Sequence, residues 1–319
     1  MSEKIAVLAG GLSCEREISL ISGKAVYEAL SAKGLDVICV DPIGDFIPLL
    51  KKNAITIVFI ALHGAFGEDG TVQMLLEEMQ IPHTGSSPEA SRYAMDKLFS
   101  RRRWLAARLP IPRWVEASSL NAAVRVKELS FPVMVKPISQ GSSIGMSLVE
   151  TQEELPAAVE EASRFGERFL LEEYLPGSEV TVGILQDRPL PVIQIVPKRR
   201  FYDYVAKYTP GMTEYLVPAP LPSTTSRRLQ QLAKTAHQVL GCRSFSRVDM
   251  ILTPGRGPVL LELNTIPGMT PLSLLPKAAA CAGIHFPELC RRMLASALER
   301  KEECRQRTEQ SSASASFPA

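Results

Sequence analysis

A chain of 319 residues is about twice the usual length of one domain, so two or three compact units are expected. At 45% hydrophobic and 22% charged it belongs with folded, water-soluble proteins, outside the disordered, collagenous and membrane classes. Its 36 Lys plus Arg against 34 Asp plus Glu leave a formal +2, too small a field to hold a nucleic-acid backbone or an anionic membrane, so neither is expected as a partner.

The first apolar stretch is preceded by Glu3 and followed by Glu15, Arg16 and Glu17 without a small-residue cleavage pattern, so residues 5–8 are read as a strand rather than a signal peptide. A Gly10-Gly11 turn follows, and Ile18, Ile21, Val26 and Leu30 recur at roughly helical spacing. The strand signal returns at 36–40 and in the longest apolar run, 54–62, which is too short to cross a bilayer. With a helical run at 71–79, residues 1–88 read as a parallel α/β unit. The stretch IPHTGSSPEA marks a boundary near Pro88, and a basic helix (DKLFSRRRWLAARL) comes next. In residues 89–175, FPVMVKP and RFLLEEYL predict strands around a glycine-serine loop and a helix over 152–164, a smaller α+β unit. In residues 176–319, VTVGIL, PLPVIQIV, RVDMIL and PVLLELN predict strands, and 226–240 and 287–305 predict helices. The low-complexity end, 308–319, is expected to fray. Six cysteines show neither a CxxC pair nor a zinc spacing, which suits reduced thiols in the cytoplasm.

No GxxxxGK[ST] loop, GxSxG elbow or HExxH helix is present, so function rests on a dispersed set of polar residues. The segment VMVKPISQGSSIG ends an apolar strand at Lys136 and then offers Gly141, Ser142, Ser143 and Gly145. Such a loop can cradle phosphates through backbone N–H groups, hydroxyls and a point charge, although a surface turn with a solvated lysine satisfies the same letters. Lys97, taken alone, reads as solvated. In LLELN, period two puts Glu262 and Asn264 on one face and turns Leu261 and Leu263 to the core, while SRVDMIL aligns Arg247 with Asp249. Hard oxygen donors of this kind suit Mg²⁺ shared with nucleotide phosphates; either segment by itself reads more readily as a strand edge with exposed charges. LLEEYLPGSE could form a hinge for an adenine with Glu179 on the ribose, or a solvated strand exit. Tyr202, Tyr204, Lys207 and Tyr208 would make a lid, or a loop packed on its own tyrosines. His63 ends an apolar strand at the edge where α/β sheets bind ligands, and Ser13 and Glu15 reach the same edge, where a glutamate more often serves a helix N-terminus. His83, His237 and His285 form no ligand pattern.

In combination, GGLSCEREISL, ALHGAFGEDG, VMVKPISQGSSIGM, FYDYVAKY, SRVDMIL and LLELNTIPGMTPLSLLPKAA resemble, in order, the D-alanine:D-alanine ligase family of the ATP-grasp superfamily, over nearly the whole chain. The resemblance implies an N-terminal parallel α/β domain followed by a two-domain ATP-grasp fold of α+β type. It implies ATP-dependent joining of two D-alanines for peptidoglycan, through an acyl phosphate and a tetrahedral intermediate. By the same resemblance Lys97 and Lys136 would meet the ATP phosphates under Ser142 and Ser143. Glu172, Glu173, Tyr174, Leu175 and Glu179 would line the adenosine pocket, and Asp249, Glu262 and Asn264 would hold two Mg²⁺ or Mn²⁺. Glu15 would take the first substrate's ammonium, with His63 nearby, and Glu15, Ser142 and Tyr208 would tie the three units together as the lid closes. Arg247 and the Gly268 N–H would form the oxyanion hole, and Ser273, the Leu274 N–H and Lys207 would take the second carboxylate. A cytoplasmic homodimer is implied. Val205 stands where the family commonly has a charged or polar residue, and Tyr208 favours a dipeptide over a depsipeptide product.

Overall fold

The computed structural model describes residues 3–199, 202, 204–209, 211–271 and 273–299, and of Tyr204 and Tyr208 the backbone alone. The N-terminal elements are β1 (Lys4–Leu8), α1 (Arg16–Ser31), β2 (Asp36–Val40), α2 (Ile47–Lys52), β3 (Ile57–Ile60) and α3 (Thr71–Glu78). β1 lies between β2 and β3 and runs parallel to both. Both faces of β1 are covered, Ile5 and Val7 by one core and Ala6 and Leu8 by another, which explains its continuous apolar run. Only four residues of the run 54–62 pair as strand β3, and Ala61–His63 leave the ladder. Parallel strands deliver their C-terminal loops to one edge. The loops after β1 and β3 therefore meet there, and Ser13 Oγ donates to the His63 carbonyl at 2.7 Å.

Ser87 caps α4 (Pro88–Met95) and Asp96 caps α5 (Lys97–Ala106), each accepting from a backbone N–H three residues on. Helix α5, expected as a basic helix, buries Lys97, Arg101 and Trp104, and the Trp104 indole donates to the Ala236 carbonyl at 3.2 Å. Ala90, Ala94 and Trp104 share a core with Val180, Val248 and Leu263.

Next come β4 (Trp114–Ser118), α6 (Ala122–Arg125), β5 (Val133–Pro137), β6 (Ser147–Val149), α7 (Leu155–Ser163) and β7 (Arg168–Glu173). They form an antiparallel sheet in the order β4-β7-β5-β6 with its own core around Val133, Val159 and Phe169. The β5–β6 loop carries Ser142 and Ser143 at φ 51° and 60°. This left-handed backbone is uncommon for serine.

The last group is β8 (Ser178–Leu185), β9 (Arg188–Pro189), β10 (Ile193–Pro197), α8 (Tyr204–Tyr208), β11 (Thr213–Leu216), α9 (Ser223–Val239), β12 (Phe245–Thr253), β13 (Gly257–Asn264) and α10 (Leu274–Cys281). A helical stretch over 286–299 follows; the remainder of the helix expected to 305, and the tail 308–319, lie outside the described residues. The sheet order is β11-β10-β8-β12-β13, with β9 on β8.

One expectation fails here. Val248 faces Leu263 and Met250 faces Leu260, so Asp249 alone opposes two residues, Leu261 and Glu262. This β-bulge breaks the period of two. Leu260 and Leu263 enter the core, whereas Leu261, expected there, lines a cavity beside Glu262.

Candidate active site

The edge formed by the β1 and β3 loops, the β5–β6 loop, the α8 region and the ends of β12 and β13 enclose a cavity of about 600 Å³. A smaller cavity of about 100 Å³ adjoins it between the two antiparallel sheets. Glu262, Tyr202 and Lys207 line both.

Glu15 precedes α1, where a carboxylate commonly caps the helix, yet its side chain caps nothing. Instead its Oε1 accepts from Ser142 Oγ of the β5–β6 loop. A Cβ at Gly64 would stand 3.0 Å from Glu15 Oε2, and one at Gly141 would stand 3.4 Å away, so glycine at both positions keeps that oxygen uncrowded. His63 is buried, with Nδ1 3.2 Å from Glu68 Oε1 and Nε2 3.3 Å from Ser22 Oγ, which accepts from the Met269 N–H. Burial pushes the Glu68 carboxyl pKa up, against the pull of His63. Glu68 went unassigned in the sequence; its signal was the offset of five residues from His63 within ALHGAFGEDG.

Lys97, which alone read as solvated, is 7% exposed and donates to the Gln140 carbonyl at 2.5 Å. Burial lowers its pKa; nearby Glu262 opposes this, while Lys136 and Arg101 add to it. Lys136 Nζ donates to Glu172 Oε2 at 2.5 Å, and Arg101 Nε to Glu172 Oε1 at 2.8 Å. Burial acts to raise the Glu172 pKa, but these two cations overcome it and hold the carboxyl down at about 2. The Glu172 carboxylate, expected to line the adenosine pocket, is thus committed to Lys136 and Arg101 at its wall. Glu173 likewise turns its carboxylate to Arg113 and Arg256, at 2.7 and 2.5 Å, while the Tyr174 N–H donates to the Pro132 carbonyl. Leu175 and Glu179 line the smaller cavity. Burial lifts the Glu179 carboxyl to about 8, with Lys207 opposing and Asp249 and Glu262 adding to the rise.

Across β12 and β13, Asp249 stands opposite Glu262, and Arg247 opposite Asn264. Arg247 grips Asp249 with a fork, Nε to Oδ1 at 2.9 Å and Nη2 to Oδ2 at 2.7 Å, and Thr181 Oγ1 donates to Oδ1 at 2.6 Å. Burial acts to raise the Asp249 pKa, and Arg247 reverses this and holds it below the usual carboxylate range. Asn264 Oδ1 accepts from the Ile266 N–H at 2.7 Å. The donor set suits a hard divalent cation: two carboxylates on neighbouring strands and an amide oxygen. No group of three His, Cys, Asp or Glu that could hold a metal ion is present among the described residues.

Gly268 approaches Ser273 so closely that a Cβ would stand 2.9 Å from its Oγ. That hydroxyl accepts from the Thr270 N–H at 3.1 Å and sits just before α10, whose first residue is Leu274. Lys207 Nζ lies 5.1 Å above the Tyr202 ring, and Tyr202 and Tyr215 share a hydroxyl contact of 2.9 Å. Ser143 Oγ donates to the Tyr202 carbonyl at 3.1 Å, linking the phosphate-type loop to the α8 region. Val205 is exposed. The Tyr208 hydroxyl, expected to join Glu15 and Ser142, lies outside the described residues.

The family model described as D-ala D-ala ligase C-terminus matches residues 108–295, and that described as D-ala D-ala ligase N-terminus matches 46–86. A D-alanine--D-alanine ligase of Geotalea uraniireducens (strain Rf4) is 48% identical over 297 residues, covering 93% of this chain and 96% of the relative. The chain belongs to the D-alanine--D-alanine ligase family. Its fold is similar to the crystal structure of the Bacillus anthracis enzyme, with a TM-score of 0.86, 32% identity and coverage of 95% and 99% of the two chains. The same enzyme complexed with ATP gives a TM-score of 0.83 at 30% identity, with the same coverage. The VanG D-Ala:D-Ser ligase of Enterococcus faecalis gives 0.81 at 30%, covering 92% and 99%. The two antiparallel sheets that flank the smaller cavity are the ATP-grasp part of the fold.

Proposed function

We infer that this chain is an ATP-dependent ligase that joins two D-alanines into D-alanyl-D-alanine, the dipeptide of peptidoglycan precursors, with release of ADP and phosphate. Beyond family membership, the observation that carries this reading is the contact of Glu15 with Ser142. It puts a carboxylate suited to a substrate ammonium against a loop suited to phosphates, on a cavity whose wall also holds Arg247.

In this reading the first D-alanine lies with its ammonium at Glu15, beside His63, and its carboxylate faces the γ-phosphate. Lys97 and Lys136 offset phosphate charge from beneath, and Ser142 and Ser143 cover it. Adenosine occupies the smaller cavity against Tyr174, Leu175 and Glu179, with Glu172 and Glu173 at its wall. Asp249, Glu262 and Asn264 would hold two Mg²⁺ or Mn²⁺, which supply charge neutralisation at the transferring phosphoryl group. The carboxylate oxygen attacks the γ-phosphorus, the bond to the β-phosphate oxygen breaks so that ADP leaves, and an acyl phosphate forms. The second amine then attacks the carbonyl carbon, Arg247 and the Gly268 N–H stabilise the developing oxyanion, and phosphate leaves. Ser273, the Leu274 N–H and Lys207 receive the second carboxylate. Closure of the α8 region excludes water that would hydrolyse the acyl phosphate. A cytoplasmic homodimer is the proposed setting; among the described residues no helix is long and apolar enough to cross a membrane.

Similarity to a D-Ala:D-Ser ligase leaves D-serine as the second reading for the second substrate. The test is product mass after incubation with Mg·ATP and D-alanine alone, with D-serine, or with D-lactate. D-alanyl-D-alanine is expected to dominate in every mixture. Predominant D-alanyl-D-serine or D-alanyl-D-lactate would move the second-substrate assignment, and no product at all would remove the ligase reading.

A further inference from the structure

Arg101 takes no part in the chemistry above. It follows Lys97 by one turn of α5, so both side chains leave the same helix face. Its side chain is 1% exposed, and Nη1 finds no hydrogen-bond acceptor among the described residues. Nε donates to Glu172 Oε1 at 2.8 Å, Nη2 lies 2.7 Å from the same oxygen, and the guanidinium packs 5.7 Å from the Trp104 ring centroid. A buried ionic set of this kind is weak evidence for stability, since apolar side chains in place of all its members would serve as well.

Glu172 divides its two oxygens between two cations, Oε1 to Arg101 and Oε2 to Lys136, while Glu262 is also near Lys97 and Glu179 near Lys136. Without Arg101, Glu172 could turn both oxygens on Lys136 and cancel its charge. Without Glu172, Lys136 would lose the tether that fixes its ammonium at the edge of the smaller cavity. We propose that Arg101 is a positioning residue for ATP: by engaging half of Glu172 it lets the carboxylate hold Lys136 in place without neutralising it. The inference rests on the reading that Lys136 meets the ATP phosphates.

The test compares Arg101→Met, Arg101→Lys, Lys136→Met, Glu172→Gln and the Arg101→Met/Glu172→Gln double variant. KM for ATP and D-alanine, kcat, ADP affinity by calorimetry and thermal melting are read for each. Arg101→Met is expected to raise the ATP KM and weaken ADP binding by about tenfold, the scale on which outer partners of a binding group matter. D-alanine KM and kcat at saturating ATP should stay near those of the native chain, and Arg101→Lys should recover most of the loss. In the Glu172→Gln background Arg101→Met should have little further effect on ADP affinity, because there is no carboxylate left to restrain. Should Arg101→Met fail to fold, the same cycle is run with Arg101→Gln. Native nucleotide affinity in a folded Arg101 variant, with Lys136→Met impaired, would reduce Arg101 to a structural role; additive losses in the double variant would do the same. Native nucleotide affinity in Lys136→Met would instead overturn the assignment of Lys136 itself.

Discussion

Replacing Arg247 by alanine acts on stability and turnover through different atoms, and the two losses can be separated. The Arg247 fork is the main support of Asp249, which is 6% exposed and otherwise keeps the Thr181 hydroxyl at 2.6 Å. Removing the guanidinium leaves a buried carboxylate with one donor, which costs about 3–5 kcal/mol. At roughly 1.5 °C per kcal/mol for a chain of this size, melting should fall by about 4–8 °C. The double variant Arg247→Ala/Asp249→Asn removes the stranded charge and should regain most of that loss, measured in EDTA without nucleotide. Turnover of Arg247→Ala, assayed as ADP release well below its melting temperature, should drop about 100- to 1000-fold from loss of an oxyanion donor. Near-native turnover would remove Arg247 from the reaction, and a double variant no more stable than the single one would refute the stranded-charge argument.

Ser142→Ala deletes the hydroxyl that meets Glu15 and should raise the KM for the first D-alanine and increase ADP release uncoupled from dipeptide, with melting changed little; tight coupling and a native KM would relocate the closing contact. Glu172 titrates at about 2 in the folded chain against 4.5 as its ordinary value, so its contribution is present above about pH 4.5 and is lost as pH falls toward 2. The urea-unfolding free energy of Glu172→Gln should therefore trail the native chain by up to about 3 kcal/mol at pH 7, with the gap narrowing from pH 4.5 down to about 2. A gap independent of pH would mean that Arg101 and Lys136 do not hold this carboxylate down.

The parallel N-terminal sheet was legible in the sequence because β1 and β3 are buried on both faces and read as unbroken apolar runs. From that followed the meeting of the Glu15 and His63 loops at one edge. Leu261 was misplaced because strict alternation cannot register a bulge, and the extra residue opposite Asp249 is visible only in the pairing of β12 with β13. Lys97 read as solvated because burial of a lysine depends on what covers it, here a carbonyl 43 residues away in the β5–β6 loop. The division of Glu172 between Arg101 and Lys136 was equally hidden, since it joins a helix to two strands distant in sequence. The resemblance to the family carried the roles of such residues; local pattern carried the strands and loops that bear them.

In the proposed reaction the first D-alanine's carboxylate takes the γ-phosphate before the second amine displaces it. D-alanine labelled with ¹⁸O in its carboxylate, incubated with Mg·ATP and the purified chain, tests it directly. Each D-alanyl-D-alanine formed should leave one labelled oxygen in the released phosphate, with one ADP. Dipeptide accompanied by unlabelled phosphate would contradict the acyl phosphate, and labelled phosphate without dipeptide would contradict the ligation.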